Sequence, residues 1–120
     1  MTPLLPLLVG LLLAGVESDP RNPNRPGDHG RALGGLQITQ PVVDDVDRFS
    51  GQHWTHQDAE DPAIAEEMLR IYEGHWATSA RLGHEPTLED MARIWNGGPD
   101  GWRKPSTLGY WAKVQSAMNR

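Results

Sequence analysis

The C-terminal half of this chain is divided into segments that open on a capping residue and close on glycine, and this punctuation commits it to packed helices. Asp61 is a good N-cap and Pro62 occupies the first helical position behind it. Ile64, Met68, Ile71 and Trp76, flanked by Leu69 and Tyr72, then recur at helical spacing. That stripe predicts one helix running to about Ala80, with Gly83 ending it. Thr87, Leu88, Glu89 and Asp90 open the next helix in capping-box style, the acid standing at the third helical position. Leu88, Met91, Ile94 and Trp95 are its expected buried face, and Gly97, Gly98 and Pro99 stop it. Ser106 is the expected cap of a last helix carrying Leu108, Trp111, Val114 and Met118.

The first half is less regular. Residues 4–16 are almost wholly apolar and too few to span a bilayer. Two readings stand. One is a signal segment cut near Ala14, although no basic residue precedes it. The other is a buried helix with Thr2 as cap and Pro3 at its first position. The second is preferred, for a reason given below. Residues 18–35 are a loop crowded with Pro and Gly. Residues 36–39 are either a strand or the entry to a helix. Residues 41–48 place Val42, Val43 and Val46 at helical spacing. Residues 50–61 read as a polar surface loop. The sum is three or four helices around a core, a mainly α fold, in one domain over residues 1–120. No transmembrane span is expected.

Composition narrows the function classes. The chain has no cysteine, so disulfides and cysteine-ligated metals are excluded. Its net charge of -5 argues against nucleic acid as partner, because phosphate binding needs clustered Lys and Arg. His29, His53, His56, His75 and His84 are scattered, so no metal site and no cofactor are expected. Five Trp in 120 residues fill a core or line a groove, where flat apolar faces pack on sugar rings.

Two carboxylates are candidates for chemistry. Glu17 follows the apolar run directly. At the end of a core helix its carboxyl would meet apolar walls and the negative half-dipole, both of which favour the protonated form. A carboxylic acid that keeps its proton near neutral pH suits cleavage of a glycosidic bond. The plain alternative is a solvated surface glutamate. Asp28 lies in the turn sequence Pro26-Gly27-Asp28-His29-Gly30. It is either an Asx turn or the second carboxylate of a pair.

Residues 92–114 carry Ala92-Arg93-Ile94-Trp95-Asn96-Gly97-Gly98-Pro99 and then Pro105-Ser106-Thr107-Leu108-Gly109-Tyr110-Trp111 with Val114. This closely resembles the C-terminal signature of invertebrate-type lysozymes, an A-R-I-x-N-G-G-P block followed by a P-S-T-L-x-Y-W-x-x-V helix. Val16-Glu17-Ser18 resembles the family's V-E-S, and Leu36-Gln37-Ile38 its F-Q-I block. Lytic transglycosylases share a similar pair of N-terminal landmarks. The likeness covers roughly residues 16–118, and it departs from the family in lacking every cysteine. Trp102 stands where the family often has Cys, and Trp95 where it has His. A cysteine-free bacterial branch, with packing in place of cross-links, fits that departure.

The resemblance implies a lysozyme-like domain with a Pro/Gly-rich loop or short β-hairpin near the active site. It implies Glu17 as general acid/base and Asp28 as second carboxylate, about 5–5.5 Å apart for a retaining reaction. Asp19 is too close to Glu17 along the chain to be preferred. Gln37, Asn96, Gly97 and Gly98 are the residues expected to line the sugar cleft; their alternative role is to shape turns and core. Tyr110 and Trp111 read as core and rim. In this superfamily the catalytic Glu ends a helix, so residues 4–16 are expected to stay attached. The expected substrate is peptidoglycan or a related N-acetylhexosamine glycan, acted on by a monomer. A periplasmic or extracellular location follows only if the N-terminal segment is a signal. Two rivals remain: a lytic transglycosylase that needs Glu17 alone, and a non-catalytic peptidoglycan-binding module.

Overall fold

A computed structural model describes residues 32–33 and 38–118. Two short strands lead. β1 (Ala32–Leu33) and β2 (Ile38–Thr39) run antiparallel, with Ala32 opposite Thr39 and Leu33 opposite Ile38. β1 falls inside the stretch read as an irregular loop, so the hairpin alternative describes it better. β2 runs straight into α1 (Gln40–Ser50), so Ile38 and Thr39 form a strand that leads into a helix, and residues 36–37 lie outside the described residues. The preferred N-terminal helix over residues 4–16 lies outside the described residues.

Four further helices follow: α2 (Pro62–Trp76), α3 (Ser79–Leu82), α4 (Leu88–Gly97) and α5 (Leu108–Met118). The architecture is mainly α, as the helical periodicities require. The core sits where α1, α2 and α4 meet, and α5 packs on α4. Ile38, Val43, Val46, Met68, Leu69, Ile94 and Val114 are fully shielded from water. Each such aliphatic side chain contributes about 1.5–3 kcal/mol relative to exposure.

The caps form where the sequence places them. The Asp61 carboxylate accepts the Ala63 N–H at 2.9 Å. At α4 the Thr87 hydroxyl accepts the Asp90 N–H at 3.1 Å, and the Asp90 carboxylate accepts the Thr87 N–H at 3.0 Å. Leu88, Ile94 and Trp95 are buried on that helix and Met91 is half-buried.

Three expectations are corrected. The helix predicted to run to Ala80 stops at Trp76, and Thr78 then caps the separate α3, accepting the Arg81 N–H at 3.3 Å. A hydroxyl that captures a backbone donor gives the chain an alternative to continuing the helix. The polar loop over residues 50–61 contains a 3-10 turn, His56–Glu60, which buries Ala59. Its start is fixed by the Asp58 carboxylate accepting the Thr55 N–H at 2.8 Å. Lastly, Ser106 does not cap α5. It lies inside a 3-10 turn, Pro105–Thr107, that feeds the helix directly. Of the face expected to be buried there, Val114 is buried and Trp111 half-buried, whereas Leu108 and Met118 are 50% and 48% exposed.

Candidate functional site

Of the six residues predicted to act on a glycan, Glu17, Asp28 and Gln37 lie outside the described residues. The other three form one feature. Asn96 and Gly97 are the last two residues of α4, and Gly98 is its C-cap. Asn96 is exposed, while both glycines are half-buried. Gly98 has φ 89° and ψ -172°, a region open in practice only to glycine. Its N–H returns to the Ile94 carbonyl at 2.9 Å, and its own carbonyl accepts the Gly101 N–H at 2.8 Å. The chain therefore leaves α4, reverses, and re-enters a second 3-10 turn, Gly101–Arg103.

What packs under this reversal is polar and well satisfied. Arg93 donates from Nε to the Thr107 hydroxyl at 2.8 Å, from one terminal nitrogen to Glu89 at 2.7 Å, and from the other to the Lys104 carbonyl at 3.1 Å. The Thr107 Oγ1 lies 2.8 Å from the carbonyls of both Gly101 and Lys104. Lys104 reaches back to the Gly97 carbonyl at 2.8 Å. A Cβ on Gly97 would meet the Thr107 methyl at 2.5 Å, and one on Gly101 would overlap the Arg93 carbonyl. Small residues are needed at both places so that backbone and side chain can approach this closely. On the other side, Arg81 of α3 donates to the Trp76 carbonyl at 2.8 Å, the Pro99 carbonyl at 2.9 Å and the Asp100 carboxylate at 3.1 Å.

Three other polar features stand out among the described residues. His56 Nε2 lies 2.8 Å from the Ile38 carbonyl. A carbonyl can only accept, so His56 is the donor there and holds the strand that follows Gln37. His84 pairs with the buried Asp90 at 2.7 Å, its ring edge-on to Trp102. Burial pushes the Asp90 carboxyl up, but hydrogen bonds from Thr87 and His84 outweigh it and hold the group below the usual aspartate value. Glu73 is the opposite case. It is 2% exposed on α2, neither carboxylate oxygen has a hydrogen-bond partner among the described residues, and burial raises its pKa well above the ordinary glutamate value.

A side-chain amide such as that of the exposed Asn96, at the end of α4, can donate to and accept from a hydrogen-bonding ligand. The chain is similar to a lysozyme. A protein named Lysozyme from Magallana gigas is 45% identical over 56 residues, which take in 47% of this chain and 39% of that protein. This chain thus spans about two fifths of the lysozyme it matches. No family profile matches. The lysozyme likeness and the mainly helical fold support the same relation. Among the described residues no helix is long and apolar enough to cross a membrane, and no group of three or more His, Asp or Glu could hold a metal ion.

Arg81, Lys104 and Thr107 are the participants that sequence reasoning missed. Arg93 and Thr107 lay within the family-like block, but only the folded chain shows them bonded. The i,i+4 spacing of Glu89 and Arg93 was the available signal for that part. His56 gave none, because its acceptor is a main-chain carbonyl 18 residues away.

Proposed function

We propose that this chain is a lysozyme-type glycoside hydrolase that cleaves the β-1,4 bond between N-acetylmuramic acid and N-acetylglucosamine in peptidoglycan. It belongs, on this reading, to the cysteine-free bacterial branch of the invertebrate-type family, and residues 1–120 form its one domain. The observation that carries the reading is the 45% identity to a lysozyme over 56 residues. The reading also takes the reversal at Asn96–Gly98 as one wall of the sugar cleft.

In this mechanism Glu17 donates its proton to the glycosidic oxygen as the bond to the anomeric carbon breaks. Asp28 stabilises the oxocarbenium-like centre or bonds to it, and water then completes hydrolysis, returning the proton to Glu17. Gln37, Asn96 and the backbone of Gly97 and Gly98 line the cleft and orient the sugars. The test is turbidity clearing of purified cell walls by the wild type against Glu17→Gln, with mass spectrometry of the released muropeptides. Clearing that is lost in Glu17→Gln, with reducing-end products, is the expected result. Anhydro products that persist in Asp28→Asn would replace the hydrolase by a lytic transglycosylase. Equal, negligible clearing by both chains with retained pull-down on peptidoglycan would replace it by a binding module.

A further inference from the structure

We propose that Arg81 is a positioning residue for glycan binding: it sets where the Asn96–Gly98 reversal stands relative to α2 and α3. This inference rests on the glycan-binding reading above. The guanidinium reaches two separate parts of the chain at once. One terminal nitrogen donates both of its hydrogens, to the Trp76 carbonyl at 2.8 Å and to the Pro99 carbonyl at 2.9 Å. The other donates to Asp100 at 3.1 Å. The plane lies over the Trp76 ring, 5.0 Å from its centroid, and the side chain is 30% exposed.

The acceptors explain why this matters. Trp76 ends α2, where carbonyls lack helical partners and a cation is favoured. Pro99 and Asp100 immediately follow Gly98, whose glycine-only backbone conformation persists only where surrounding contacts over-determine it. Arg93, Lys104 and Thr107 tie the reversal to its own neighbours in the chain. Arg81 comes from a different helix and ties it to the body that α2 belongs to. Three in-plane donors are required, so lysine cannot reproduce the arrangement.

The experiment compares the full-length wild type with Arg81→Lys and Arg81→Gln. Three quantities are read: amide hydrogen exchange at Gly98 and Gly101, binding of a soluble β-1,4-linked N-acetylglucosamine oligomer, and KM and kcat for wall clearing. The expected result is folded variants whose Gly98 and Gly101 amides exchange about tenfold faster while Ala92 and Ile94 stay protected. Oligomer affinity falls and KM rises by about five- to tenfold, with kcat within about twofold of wild type. Unchanged exchange, or faster exchange with unchanged affinity and KM, overturns the proposal, as does loss of folding in both variants. A wild type that neither clears walls nor binds the oligomer defeats the glycan reading instead. Exchange then still decides whether Arg81 fixes the reversal.

Discussion

Arg93 and Thr107 stand 14 residues apart in sequence and are joined by an Nε–H to hydroxyl bond of 2.8 Å, which ties α4 to the turn that begins α5. Thr107 is 1% exposed, so its hydroxyl is cut off from water and depends on these partners. Thr107→Val keeps the shape and removes the oxygen. It leaves the Arg93 Nε–H without its acceptor and takes one donor from the Gly101 and Lys104 carbonyls, which keep the N–H groups of Lys104 and Thr107. The expected cost is about 1–3 kcal/mol, read as a lower urea midpoint with unchanged slope.

Gly101 and Gly109 predict opposite outcomes for the same substitution. A Cβ on Gly101 would collide with the backbone of Arg93, which cannot yield as a flexible side-chain end would. Gly101→Ala should destabilise by about 3 kcal/mol or more. Gly109 lies in α5 with nothing within 4 Å of an added Cβ. Gly109→Ala should stabilise by about 0.5–1 kcal/mol. Paired thermal unfolding curves check both.

Glu73 predicts a stability that falls as pH rises. Its folded-state pKa is raised by burial, so between the unfolded value and the folded value the native chain binds more protons than the unfolded one. Stability is fully present below the unfolded pKa and declines above it, by at most about 1.4 kcal/mol per pH unit. Glu73→Gln should match wild type in acid, exceed it at neutral pH and remove this part of the slope. Chemical denaturation from acid to neutral pH reads the difference.

Asp90 predicts the reverse dependence. Its pKa is depressed in the folded state by Thr87 and His84, against the upward push of burial. Its contribution is present above the unfolded aspartate value and lost as pH falls through the folded one. Asp90→Asn also weakens the α4 capping box, so a loss of about 1 kcal/mol is expected at neutral pH and a smaller one in acid. Thermal midpoints at both pH values measure it.

Local chemistry was legible in the sequence and long-range chemistry was not. Asp61, Thr87 and the glycines after α4 announce helix ends because caps are made within one turn. Thr55 and Asp58 carried the same signal for the His56–Glu60 turn, obscured by the polarity around them. The break after Trp76 was not legible, since the apolar stripe continues through Ala77 and Ala80 and the competing contacts come from Thr78 and Arg81. Nor was the burial of Glu73, whose helix packs against both α1 and α4 and so has more than one inward face. At the candidate site, Asn96–Gly98 could be named from the motif. The cations beneath it could not, because a carbonyl acceptor leaves no trace in residue identity.

That last property reaches beyond this chain. The acceptors used by Arg81, Arg93 and Lys104 include the main-chain oxygens of Trp76, Pro99, Lys104 and Gly97. Every amino acid supplies such an oxygen. Exposed side chains along the reversal can therefore drift under selection without dismantling its support, provided the backbone keeps its path. A lineage can vary the exposed rim of the reversal while Arg81, Arg93, Lys104 and the glycines stay constant.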